Sequence, residues 1–89
     1  MMSITQAPHG MNVVVETEDS VIIGRLGKLE GDQVNMHHAA VFQVTAGEST
    51  EELIRHTAKY GVPVEHVDLS FDTQFIRRVR KLGDVPKGA

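Results

Sequence analysis

The sequence predicts a mainly β fold with one helix: a small, strongly bent antiparallel barrel built on a meander. Three observations lead there. First, the apolar runs MNVVVE, VIIGRLGKL and QVNMHHAAVFQV lie between Met11 and Val44, separated by the turn clusters Thr17-Glu18-Asp19-Ser20 and Glu30-Gly31-Asp32. Val- and Ile-rich runs between Gly, Asp and Ser clusters are strands joined as hairpins, because β-branched side chains pack well on a pleated surface. Second, Gly24 and Gly27 interrupt the middle run. Glycine inside a strand marks a bulge, a bend or a close backbone approach, and a short sheet closes only by coiling strongly. Third, a single well-delimited helix follows the meander.

The first strand spans about Met11 to Glu16. Alternation puts Met11, Val13 and Val15 on one face and Asn12, Val14 and Glu16 on the other, which leaves Val14 apolar on the outer side. The second strand runs from Val21 to about Leu29. Ile22, Gly24, Leu26 and Lys28 share one face; Val21, Ile23, Arg25, Gly27 and Leu29 share the other. Both faces are partly apolar, as for a strand covered on both sides. The third strand covers Gln33 to His38, a kink follows at Ala39-Ala40, and extended chain resumes from Val41 to Thr45.

Ser49-Thr50-Glu51-Glu52 fits the capping box, in which the serine accepts from the N3 amide and the glutamate reaches back. Leu53, Ile54, Thr57 and Ala58 form an apolar stripe at helical spacing. Gly61 can take the left-handed cap, and Pro63 forbids continuation. The helix is therefore expected over Thr50–Tyr60. A strand is expected at about His66 to Phe71. The last apolar set, Phe75, Ile76, Val79 and Leu82, has helical spacing, but closing the sheet needs one more strand, and Phe75 to Arg80 is assigned to it. Residues 1–9 are expected to be disordered, 10–82 to form the barrel, and 83–89 to be a flexible tail.

Eighty-nine residues allow one small domain. A chain of this size buries only roughly 60–65% of the surface its unfolded form exposes. With no cysteine, neither disulfides nor thiolate metal sites can reinforce that thin core. Association with further copies is the remaining route, and Val14, Val21 and Ile23 are the candidate oligomer contacts. No apolar run approaches the roughly 20 residues of a membrane span, and no signal-peptide pattern precedes the domain. The expected compartment is the cytoplasm, with no membrane partner.

Charge is unevenly divided. Residues 1–76 hold four basic side chains, Arg25, Lys28, Arg55 and Lys59, against eleven acidic ones. The last thirteen residues hold Arg77, Arg78, Arg80, Lys81 and Lys87 against Asp84. Two readings follow: the basic segment pairs with the acidic body, or it meets an anionic partner. In the second reading Arg25, Asn35, Arg77, Arg78 and Arg80 contact RNA or single-stranded nucleic acid. The acidic body opposes phosphate, and the three Phe are assigned to the core rather than to base stacking.

No catalytic constellation is legible. His37 and His38, as strand neighbours, point to opposite faces. A site from His37, His56 and His66 has no paired short spacing behind it. His9 lies in the N-terminal segment. The serines lack a nucleophile-elbow context. The expectation is a non-enzyme with no cofactor and no metal.

The stretch VVVETEDSVIIGRLGKLEGDQVNMHHAAVFQV resembles the first half of an Sm-like small barrel: strand, turn, strand with an internal glycine, turn, strand with Asn. In that resemblance Gly24 matches the glycine of the bent second strand, while Asp32 and Asn35 fall near the residues that shape a nucleotide pocket between subunits. Ile76-Arg77 stands at the second signature, with Arg78 in place of its Gly. Residues 11–82 also look like SH3-like small-barrel proteins of phages and bacteria. What the resemblance implies is a ring-shaped homo-oligomer. The leading expectation is a homo-oligomeric interaction or assembly module; the alternative is an Sm-like nucleic-acid binder.

Overall fold

A computed structural model describes residues 10–44 and 50–84. Five strands, β1 (Asn12–Glu16), β2 (Ser20–Glu30), β3 (Gln33–Gln43), β4 (His66–Asp72) and β5 (Arg78–Lys81), form one antiparallel sheet in the order β4-β3-β2-β1-β5. One helix, α1 (Thr50–Tyr60), lies between β3 and β4. The fold is mainly β with a single helix. The sheet is not closed: no ladder joins β4 to β5 among the described residues. The barrel expected from the sequence is thus reduced to an open, curled sheet.

The curl follows from chain length. β4 ends opposite Gln33, beside the tip of the β2–β3 hairpin, whereas β5 begins opposite Glu16, beside its base. Between them runs a 3-10 turn, Thr73–Phe75, capped by the Asp72 carboxylate accepting from Gln74 N–H at 2.9 Å. Thr73 N–H donates to Asp32 O at 2.8 Å, and Arg77 N–H donates to Glu16 O at 2.7 Å. Four residues can bridge at most about 14 Å, whereas a straight strand of β2's length extends ~33 Å. The hairpin therefore bends its tip back toward its base.

Two bulges supply the bend. Between the pairs Ile23–Ala40 and Arg25–His37, Gly24 on β2 faces both Ala39 and His38 on β3. Between Leu26–Met36 and Leu29–Val34, Asn35 on β3 faces both Gly27 and Lys28. An extra residue on one strand bends it and increases its twist. His38 takes φ 50°, the left-handed conformation that His tolerates better than most side chains. The sequence places a kink at Ala39-Ala40; the bulge falls one residue earlier, and β3 continues without a break.

Each bulge also changes which residues face the core. Leu29, which strict alternation sets opposite Leu26, packs against the same cluster as Leu26 because the extra residue at Gly27-Lys28 reverses the parity. Ala39 and Val41 join Val34 and Met36 inside for the same reason, and His38 is exposed. The inner face of the curl holds Val13, Val15, Ile22, Leu26, Val34, Met36 and Val79.

The outer face is covered in one half only. Val14, Val21 and Ile23 pack there beneath Ile54 of α1 and Leu82 of a terminal 3-10 turn, Leu82–Asp84. The stripe expected on the helix is the one used: Ile54 and Thr57 are buried, and the Thr57 hydroxyl donates to Leu53 O at 3.0 Å. Gly61, at φ 97°, ends α1 with its N–H on Thr57 O. Full burial of Ile54 contributes roughly 2–3 kcal/mol. β5 is shorter than expected, because Thr73–Phe75 forms the 3-10 turn. Ser49 and the segments expected to be tails, 1–9 and 85–89, lie outside the described residues; Gly83 and Asp84 belong to the 3-10 turn.

The two glycines predict different costs. A Cβ at Gly24 would lie 2.7 Å from Ala39 Cα, which is backbone and cannot move aside. One at Gly27 would lie 2.6 Å from His37 Nε2, the end of a side chain. Gly24→Ala is expected to lose about 3 kcal/mol in urea unfolding and Gly27→Ala about 1 kcal/mol. That Cβ would also lie 2.8 Å from Asn35 Oδ1, so the smaller loss is expected to disappear only when Gly27→Ala is made in a His37→Ala, Asn35→Ala background.

Candidate functional site

The basic segment at the end of the chain is held mainly by its own acidic body. On β5, Arg78 and Arg80 point to the side of β1 that carries Glu16. Arg80 is central: Nη2 lies 2.6 Å from Glu51 Oε1 and 3.3 Å from Glu16 Oε2, and Nη1 donates to Glu51 Oε2 at 3.2 Å. Its two contacts to Glu51 make the planar fork that guanidinium and carboxylate favour. Arg80 so ties the first turn of α1 to the β1–β5 edge, and its side chain is only 19% exposed. Its Nε is buried, with no hydrogen-bond partner among the described residues. Arg78 Nε reaches Glu16 at 3.4 Å, and Arg77 reaches Glu18 at 3.5 Å. Hydrogen bonds from Arg80, then the charges of Arg80, Arg78 and Arg55, hold the Glu51 carboxyl below its ordinary range against a contrary push from desolvation. The Glu51 hydrogen bond, foremost among several causes, raises the Arg80 guanidinium in turn.

Of the residues assigned to nucleic acid, Arg78 and Arg80 share the Glu16 side of β5 and Arg77 stands apart against Glu18, and all three carry acidic partners. Arg25 and Asn35 stand elsewhere, on the uncovered half of the outer face. There, cross-strand neighbours form a polar patch: Asn35 Nδ2 donates to Ser70 Oγ at 3.2 Å, and His37 Nδ1 lies 2.7 Å from Asp68 Oδ1. Gly27 leaves the room over which Asn35 and His37 lie. A cleft of about 270 Å³ adjoins, between Lys28, Glu30, Gln33, Asn35 and Ser70. The structure does not bring the five residues into one groove.

The assigned oligomer contacts are placed differently from expectation. Val14, Val21 and Ile23 are 0%, 1% and 0% exposed beneath α1 and Leu82. Their side chains are used up inside the chain, and none remains to meet a neighbour. The outer apolar face was covered by the chain's own helix.

The histidines are dispersed. His56 stacks against Tyr60 with ring centroids 4.6 Å apart, His66 opens β4 opposite Ala39, and His9 lies outside the described residues. Among the described residues no group of three or more His, Asp or Glu could hold a metal ion, and no helix is long and apolar enough to cross a membrane.

Sequence reasoning missed one feature. Phe75, assigned to the core, is 56% exposed at the rim of a cleft of about 320 Å³. The cleft opens at the mouth of the curl between the β1–β2 turn and the 3-10 turn, with Ile22 and Phe71 in its lining. The signal was present in the spacing of Phe75, Ile76 and Val79: in a strand Ile76 faces away from Phe75 and Val79, so the three do not share one face. Comparison with models of protein families, with curated proteins and with solved structures finds no match.

The Glu51–Arg80 pair makes stability depend on acid. A carboxyl lowered in the folded state stabilises above its unfolded pKa, near ~4.3, and that contribution is lost as pH falls through the folded value. Both partners keep some contact with water, so Glu51→Gln is expected to lose only about 0.5 kcal/mol at pH 7. Urea unfolding from pH 7 to 3 should bring the two proteins together at the acid end.

Proposed function

We propose that the chain is a non-enzymatic assembly module that joins copies of itself edge to edge, β5 of one chain adding to β4 of the next. The observation that carries this reading is Val67. It lies on the side of β4 that also bears the inward-packed Leu69 and Phe71, yet it is 64% exposed on a terminal strand of the sheet. An edge strand offers a row of backbone donors and acceptors to an incoming strand. Asp68 and Asp72 lie along β4, and β5 carries Arg78, Arg80 and Lys81, of which Arg80 is held by Glu51 and Glu16 within the chain while the more exposed Arg78 keeps a longer contact to Glu16. Opposite charge on the two ends of one sheet favours head-to-tail contact, which closes into a ring when the rotation permits. In the assembly each barrel is completed by its neighbour, in keeping with the Sm-like resemblance at Gly24, Asp32 and Asn35.

Light scattering on a sizing column is expected to give a mass of several chains. Val67→Lys is expected to give a folded monomer whose unfolding midpoint no longer depends on protein concentration and falls only by the contribution of assembly, since Val67 packs little within its own chain. A monomeric wild-type protein, or salt-sensitive oligonucleotide binding by an unassembled chain, would sink the proposal.

A further inference from the structure

We infer that the cleft at the mouth of the curl is a binding site for an arginine side chain of a partner peptide. This does not depend on whether the chain assembles. The cleft has two aromatic rings, Phe71 and Phe75, the latter held out on a turn fixed by the Asp72 cap. A large ring kept exposed on an anchored turn is a stacking face. Glu18 and Asp19 stand on the opposite lip. That lip is anchored too: the Thr17 hydroxyl donates to Asp19 Oδ1 at 3.3 Å, and Val44 N–H donates to Asp19 O at 2.9 Å.

A planar guanidinium suits both walls at once. It stacks on an aromatic face, whose quadrupole attracts it, and it presents its N–H fork to a carboxylate. Two carboxylates against one basic side chain leave the lining net acidic, which disfavours an anion. That one basic side chain is the chain's own Arg77, whose Nη2 lies 3.5 Å from Glu18 Oε2, with both side chains mostly exposed. A strong charge-assisted contact is nearer ~2.8 Å. Arg77 thus holds the lip loosely, as an internal competitor that an incoming arginine displaces.

The competitor gives the test a distinctive sign. The full chain, labelled with ¹⁵N, is titrated at low salt with a capped glycine-arginine-glycine peptide, and separately with its glutamate counterpart. Saturable shifts confined to residues 17–22 and 71–77 are expected with the arginine peptide alone. Phe75→Ser should weaken binding about two- to fivefold, with the rest of the spectrum unchanged because Phe75 is a surface residue. Arg77→Gln should tighten binding several-fold. Absence of saturable shifts, equal binding of the glutamate peptide, or weakening by Arg77→Gln would each overturn the assignment. Repeating the titration on Val67→Lys separates this result from the fate of the assembly proposal.

Discussion

Four residues decide the shape of this sheet. The chain between the Thr73 amide, bonded to Asp32, and the Arg77 amide, bonded to Glu16, is too short to pass along a straight hairpin. Satisfying both hydrogen bonds requires the tip of β2–β3 to come back over its base. The bulges at Gly24 and Gly27, the curved inner core and the open mouth all follow from that requirement. Glycine is needed at Gly24 because β3 crosses where a Cβ would stand, and at Gly27 because two polar side chains lie over the strand.

Curling a five-stranded sheet leaves an outer face too large for a chain this small to leave uncovered. The chain solves this by dividing it. One half carries Val14, Val21 and Ile23 and is covered by α1; the other carries Asn35, His37, Asp68 and Ser70 and remains polar. Arg80 holds the cover in place at the end where the helix begins. An uneven charge distribution along the chain thereby becomes a short-range tie between the last strand and the helix, at the expense of one buried guanidinium nitrogen with no partner among the described residues.

Much of this was legible in the sequence. The helix lies at Thr50–Tyr60 as its capping residues and stripe indicate, and the first four strands at the expected runs within a residue or two, whereas β5 starts three residues later than expected. What failed was parity. Alternation is a rule of period two, and a single extra residue reverses it for all that follows, so Leu29 came out on the wrong side. The bulge glycines were visible; which strand carried the added residue was not. Val14 was recognised as apolar on the outer side, but a sequence does not say whether its own helix or another chain covers such a residue. The pairing of His37 with Asp68 depends on the register of β3 and β4, set across more than thirty residues. Phe75 went astray because closing the sheet was given more weight than the spacing of the residues themselves.

The two bulges lie on opposite strands and have opposite sense, so the pairing register at the tip of the hairpin is the same as at its base. In terms of insertion and deletion, the curl amounts to one added residue on each strand. Removing His38 from β3 and one residue of the Gly27-Lys28 pair from β2 would leave a regular hairpin with its two-residue turn intact. A regular β2–β3 hairpin and a doubly bulged one are therefore separated here by two single-residue steps, each of which alone would put the hairpin out of register.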